Sequence, residues 1–420
     1  MNPNPNTEPA RAGPTLWPAD FLWGVATAAH QIEGNNLGSD YWLLEHLATT
    51  NFVEPSGDCC DSWQRWPEDH ALVAGLGLNA YRFSVEWARI EPEEGAFSQA
   101  ALDTYRRQCD SLRERGISPV VTLHHFSSPR WLAACGGWED AATPDRFARY
   151  CERVAHALGD RVAVYCTLNE PNAQLNSYIL RGDRPGSDEA PIAAAAKRAL
   201  GSDRFGSYFM GDSYRVRDVC IQAHALAVQA LAAVAPQIPS GITLALQALE
   251  CGEGGEALYN KLFEKARRPF YEAAARDAFV GVQTYMRFRT GLAGYLPPPA
   301  GVEIDRWGHD ASPDVLEAAV REAARCTGTA VYVTEHGINT DDDAQRLRHL
   351  QASLPGLQRC IADGIRVLGY THWSLLDNFE WRSGYAQKFG LYSVDRQSFE
   401  RRAKPSAAGY RDIVCKLRAG

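Results

Sequence analysis

One phrase recurs along the chain: a short apolar, β-branched or aromatic run, a polar loop, then a stretch with helical spacing of Leu, Val, Ala and aromatic residues. The runs predict strands over Leu22–Thr27, Ala80–Val85, Ser118–His124, Val162–Leu168, Ile242–Gln247, Phe279–Thr284, Ala330–Thr334 and Val367–Trp373. Helical spacing marks 68–76, 100–115, 145–158, 214–235 and 343–363. Strands that alternate with helices form parallel sheets, and eight such units predict closure into a (β/α)8 TIM barrel of the α/β class. A doubly wound open sheet shares this alternation, but no Gly-rich phosphate loop follows the first strand. Length alone, 420 residues, would suit nearly three domains. No Pro/Ser/Gly linker divides the chain, so the expectation is a flexible leader over 1–16 and a single barrel domain over 17–420.

Composition removes several function classes. A formal charge of −8 disfavours a nucleic-acid partner, whose phosphates would have to be neutralised by Lys and Arg. No apolar stretch reaches the roughly 18 to 20 residues of a membrane span, so no membrane partner is expected. The leader MNPNPNTEPARAGPTL lacks the apolar run of a secretory signal. Eleven scattered cysteines without a C-x-x-C pair read as reduced thiols in a cytoplasmic enzyme, with neither a zinc site nor a disulfide frame. Eleven Trp, seventeen Tyr and fifteen Phe are enough to supply large flat surfaces for packing or stacking.

Barrel enzymes carry their chemistry at the C-terminal ends of the strands, where the packed interior stops. The predicted ends deliver His30, Gln31 and Glu33; Arg82; His124, His125 and Phe126; Asn169 and Glu170; Gln283 and Tyr285; Glu335 and His336; then Trp373, Glu380 and Trp381. A single Glu after a strand is more often a helix cap or a loop ion pair. Glu170 and Glu335 together, on different strands and in the company of Trp, His, Asn and Gln, are the parts needed for glycoside hydrolysis. In that reaction one carboxyl group protonates the leaving oxygen while the other attacks the anomeric carbon.

These segments resemble glycoside hydrolase family 1, the β-glucosidase and β-galactosidase family, over about residues 17–412. FLWGVATAAHQIEG is similar to its N-terminal signature, TLNEPN to its acid/base motif, VTEHG to its nucleophile motif and HWSLLDNFEWRSGYAQKFGLYSVD to its C-terminal sugar-binding segment, with YRFSVEWARIEP between. The resemblance implies a retaining exo-acting β-glycosidase, with Glu335 as nucleophile and Glu170 as acid and then base. Arg82 would favour ionised Glu335, and Tyr285 would hydrogen-bond it; the charge on Glu335 would in turn keep Glu170 protonated, as a coupled pair. The family pattern places Gln31, His125, Asn169, Glu380 and Trp381 around the sugar hydroxyls and Trp373 under the ring. It implies no metal and no cofactor, and small-molecule β-glycosides or disaccharides as substrates.

The chain departs from the family at several positions. His30 stands where Tyr is usual, Phe126 where Trp is, and His336 where Asn is. Gln283, counted with the substrate-binding residues, occupies an Asn position. These changes bear on glucose against galactose or fucose, with β-glucosidase activity expected first. A 6-phospho-β-glycosidase would need a phosphate loop after the last strand, where Glu380 would repel the phosphate; Lys388 near Tyr385 is weak support for it. A non-catalytic sugar-binding barrel would be expected to have lost a catalytic carboxylate, and both are present. His30, His124 and His372 read as packing or supporting residues, and Trp131 and Trp138 receive no role. The loops 173–215 and 285–312, which would meet the aglycone, carry no motif.

Overall fold

A computed structural model describes residues 17–419, and the predicted leader 1–16 lies outside them. Eight parallel strands close into a barrel: β1 (Leu22–Ala26), β2 (Ala80–Ser84), β3 (Ser118–His124), β4 (Val164–Asn169), β5 (Ser240–Ala245), β6 (Phe279–Thr284), β7 (Ala330–His336) and β8 (Val367–Trp373). Closure is made where β8 pairs with β1, Gly369 opposite Leu22. All eight predicted strands form, with ends moved by no more than two residues. Near-continuous burial along each strand explains their apolar, β-branched composition, because helices cover the outer face and side chains fill the inner one.

Two of the end shifts fall where chemistry is expected. β4 runs on to Asn169 and β7 to His336, so that Asn169 and Glu335 belong to the strands themselves. The pairing register slips at the same places, between Cys166 and Asn169 against β5 and between Val333 and Glu335 against β6. Such irregularities re-aim side chains, and they recur beside active sites.

Helices Ser62–Gly75, Gln99–Glu114, Thr143–Leu158, Ser213–Val234 and Asp343–Ala362 match the predicted helical stretches within several residues. Their starts are capped as short polar side chains cap: Ser98 accepts from Ala101 N, Asp212 from Tyr214 N and Asp342 from Ala344 N. At the start of the strands Ala80, Val120, Val164, Phe279, Ala330 and Tyr332 pack together and plug the barrel. Polar chemistry is therefore confined to the opposite rim.

Two long connections rise over that rim. Helices Ala173–Leu180 and Glu189–Leu200 form the one between β4 and β5. A three-stranded sheet of Ala248–Cys251, Arg287–Gly291 and Gly294–Leu296 ties the segment after β5 to the segment after β6. Among the described residues, no helix is long and apolar enough to cross a membrane. All eleven cysteines are unpaired.

Candidate active site

Glu335, at the end of β7, is buried and held by three donors. Arg82 Nη1 donates to its Oε1 at 2.5 Å and Gln283 Nε2 to the same oxygen at 2.9 Å, while the Tyr285 hydroxyl donates to Oε2. Arg82 sits in the barrel interior on β2, fixed by Nε to Thr122 Oγ1 at 3.0 Å, and its Nη2 reaches Asn169 Oδ1 at 2.5 Å. Gln283 also donates to Asn169 Oδ1, at 2.8 Å. One guanidinium and one amide thus link the end of β7 to the end of β4.

Glu170 follows β4 with φ +47°, in the left-handed region. Its N–H donates to Thr243 O on β5 at 2.9 Å, and the turn after it is locked by Asn172, whose amide donates to Ala245 O and accepts from Ala245 N. The TLNEPN segment therefore folds by pinning its second Asn onto the neighbouring strand. Phe126 (φ +72°) and Trp381 (φ +50°) line the same cavity in the same strained region. Each such residue costs about 1–3 kcal/mol, a strain that collects at functional sites. No hydrogen bond reaches the Glu170 carboxyl group from the described residues.

Three carboxyl groups share this space, and their ionisations are displaced accordingly. Burial raises the pKa of Glu335, with Arg82 and Tyr285 opposing. Glu170 is pushed well above the usual range by burial, then by the charge on Glu335, with Arg82 opposing and Glu380 adding to the rise. Glu380 is raised to about 8 by burial and Glu335, against a hydrogen bond from Gln31. Glu335 has the most charge-stabilising donors of the trio, the Arg82 guanidinium among them, which favours the negative charge there.

Around the trio stand the predicted sugar-side residues. Gln31 Nε2 donates to Phe379 O at 2.8 Å and to Glu380 Oε2 at 3.2 Å. His125 Nε2 faces Asn169 Nδ2 at 3.3 Å, and burial holds this imidazole neutral, its pKa well below the usual value. The ring stacks near-parallel to Trp373 at 5.7 Å and to Trp381 at 6.1 Å. Gln31 Oε1, His125 Nδ1 and Gln283 Oε1 are buried without a partner among the described residues. Buried polar atoms are rarely left so, and three of them around one pocket mark places where a polar ligand would be read.

Of the predicted residues, Gln31, Arg82, His125, Asn169, Gln283, Tyr285, Glu335, Glu380, Trp373 and Trp381 form one connected set, with Glu170 beside it. The family-departing His30 stacks on Trp381 (5.5 Å, 5° between planes) and bonds Glu45 at 2.7 Å, so it supports that tryptophan. His336 bonds Tyr370 at 2.8 Å and packs on His349, away from the cavity. Trp138 is core, His124 packs on Trp138, and His372 is buried against Tyr410.

A cavity of ≈ 370 Å³ opens above Glu170 and Glu380. Tyr41, Phe209, Trp307 and Arg382 line it; Arg382 falls inside the HWSLLDNFEWRSGYAQKFGLYSVD segment without having been singled out, while no motif marks the other three, toward which only the long loops and the aromatic surplus pointed. Lys388 donates from Nζ to Tyr385 O at 3.0 Å and is not among the cavity's lining residues. Among the described residues, no group of three or more His, Cys, Asp or Glu is arranged to hold a metal ion.

The model of the family described as "Glycosyl hydrolase family 1" matches residues 14–259 and 306–418. The chain is 32% identical to "Thermostable beta-glucosidase B" of Thermobispora bispora, over 96% of this chain and 91% of that one. It is 30% identical to "Bifunctional beta-D-glucosidase/beta-D-fucosidase" of Bifidobacterium breve, over 95% and 98%. Among solved structures, "beta-glycosidase BGL167" superposes with TM-score 0.92 at 46% identity, covering 96% of this chain and 97% of that one. A β-glucosidase from Thermotoga maritima in complex with deoxynojirimycin gives TM-score 0.81 at 29% identity, covering 96% and 99%.

Proposed function

Because the chain belongs to glycosyl hydrolase family 1, whose members are retaining glycosidases, we propose that it removes terminal non-reducing β-D-glucosyl residues, with Glu335 as nucleophile and Glu170 as acid/base. The observation that carries the assignment is the asymmetry of the two carboxyl groups. Glu335 receives three donors that favour its ionised form, whereas Glu170 receives none and is pushed toward its protonated form.

Glu335 attacks the anomeric carbon while Glu170 gives its proton to the leaving oxygen. Esterification removes the charge of Glu335, and with it one of the causes that raise Glu170. Glu170 then takes a proton from water, which attacks from the face the leaving group vacated. Arg82 and Tyr285 return as donors to the carboxylate that is released. Asn169, oriented by Arg82 and Gln283, is set to meet the 2-hydroxyl, where contact strengthens in the transition state. Gln31 and Glu380 take further hydroxyls, His125 another, and Trp373 and Trp381 give the ring an aromatic surface. Gln283 holds Asn169 and Glu335 through its nitrogen and offers its free Oε1 to a sugar hydroxyl.

β-Fucoside turnover would accompany glucoside turnover, as the two activities are combined in the name of the Bifidobacterium relative; β-galactosides are the next substrates to test. The 6-phospho reading is not favoured, since Glu380 lines the cavity and Lys388 does not. We further propose a single barrel domain working in the cytoplasm, in keeping with eleven unpaired thiols.

The test is chemical rescue. Glu335→Gly is expected to abolish hydrolysis, and azide to restore turnover with an α-glucosyl azide as product. A β-glucosyl azide from that variant would reverse the two roles.

A further inference from the structure

The cavity above the sugar site differs in kind from the site itself. Its walls are aromatic: Phe126 meets Phe209 at 4.6 Å and Trp381 at 5.0 Å, and Trp307, 39% exposed, lines the same cavity from the segment after β6. Two of its longer polar side chains are already engaged by the protein. Gln174, with its amide turned to match its neighbours, donates to Tyr208 O at 2.7 Å and accepts from Met210 N and Ser213 Oγ, each at 3.2 Å. Glu189 accepts from Gly186 N at 2.8 Å and pairs with Arg181. The three buried polar atoms left without partners at this mouth all belong to the sugar side. A planar ring laid on these walls would gain aromatic contact.

The rim charges add a direction. Arg181 is held by Glu189 at 3.4 Å, whereas no carboxylate lies within 4.0 Å of the exposed Arg382 guanidinium among the described residues, and no hydrogen bond engages it. An uncompensated cation thus borders an aromatic slot on a chain whose formal charge is −8.

We infer that the aglycone site takes an aryl or arylmethyl group bearing an acidic substituent, its ring against Phe126 and Trp307 and its negative charge toward Arg382. The inference rests on the glycosidase reading above and narrows its substrates. Benzyl alcohols are poorer leaving groups than a sugar hydroxyl, so an advantage of benzyl glucoside over cellobiose is not a leaving-group effect, and the two substituted benzyl alcohols are closely matched; kcat/KM is therefore compared for cellobiose, benzyl β-glucoside, 4-carboxybenzyl β-glucoside and its neutral 4-carbamoyl counterpart.

Benzyl glucoside is expected to exceed cellobiose by roughly 3- to 10-fold, the scale of one aromatic contact. The carboxylate is expected to exceed the carbamoyl compound by roughly two- to fivefold at low salt, less as salt screens the rim. Arg382→Gln should bring the carboxylate-to-carbamoyl ratio to about one, and Trp307→Ala should bring the benzyl-to-cellobiose ratio down, whatever each does to absolute rates. Cellobiose equal to or better than benzyl glucoside, or a carboxylate ratio indifferent to Arg382, would overturn the inference while 4-nitrophenyl β-glucoside turnover leaves the glycosidase reading standing. No turnover of any β-glycoside would overturn both.

Discussion

The inner and outer halves of the pocket are built by different means. Inner groups come from barrel strands or the turns directly after them, are buried, and are tied to one another: Arg82 on β2, Asn169 on β4, Gln283 on β6 and Glu335 on β7 share four hydrogen bonds of 2.5 to 2.9 Å. Outer groups come from connections that rise over the rim. Phe209 and Arg181 ride on the β4–β5 connection, Trp307 on the β6–β7 connection and Arg382 on the turn after β8. Strand ends cannot move without moving the barrel, so geometry fine enough for bond making belongs there. The rim can be exchanged without touching the core, which is where substrate choice belongs.

If that division is right, damage to the inner half should depress the chemistry itself, and damage to the outer half should only re-rank substrates. After the loss of Glu335 itself, the largest effect is expected at Glu170. Glu170→Ala should lower glycosylation of poor leaving groups by about 10²- to 10⁴-fold, while 2,4-dinitrophenyl β-glucoside, which needs little protonation, loses far less. Pre-steady-state rates over a leaving-group series measure this. A uniform loss across the series would mean that Glu170 is not the acid, and the inner half would need a different donor.

Next comes the pH profile. The active form has Glu335 ionised and Glu170 protonated, so kcat/KM falls on the acid side as Glu335 takes up a proton and on the alkaline side as Glu170 loses one. Burial raises both groups, so both limbs should lie above the ordinary carboxylate range. Glu335→Gln removes a charge that raises Glu170, so the Glu170 pKa should drop in that variant, read by NMR of labelled glutamate side chains. Arg382→Gln, in the outer half, should leave the Glu170 titration in place. An unmoved Glu170 in Glu335→Gln would mean that burial alone sets it and that the two carboxyl groups are not coupled.

The same division explains what could be recognised in the sequence. Eight apolar runs and their helices announced the barrel, because burial on both faces leaves a compositional trace that loops lack. TLNEPN and VTEHG announced the inner carboxylates, because the local fold needs those very residues: Asn172 pins the turn that presents Glu170, and the end of β7 carries Glu335. The strand ends moved slightly, since register slips at Asn169 and Glu335 are set by neighbouring strands and not by local pattern. Trp307 and Phe209 were hidden for a different reason. Each reaches the pocket through a loop path fixed by tertiary contacts, such as the small sheet that joins 248–251 to 287–291, and no spacing in the chain encodes that meeting. Gln283 looked like a sugar ligand, yet its nitrogen is spent on Asn169 and Glu335, leaving only Oε1.

The smallest expected effect tests whether the outer half works through one guanidinium or through a diffuse positive field. Arg181 and Glu189 form a rim pair at 3.4 Å whose charges cancel, so neither should steer an acidic aglycone while both are present. Replacing both, Arg181→Gln with Glu189→Gln, should leave the 4-carboxybenzyl to 4-carbamoylbenzyl ratio of kcat/KM unchanged, and the glutamine can still accept from Gly186 N. Arg181→Gln alone uncovers the Glu189 charge beside the slot and should lower that ratio, by about twofold at most for a solvent-screened group. Both measurements at low salt decide the matter. If the double variant erases the preference as fully as Arg382→Gln does, the acidic substituent is sensing the summed charge of the rim, and Arg382 holds no special place in it.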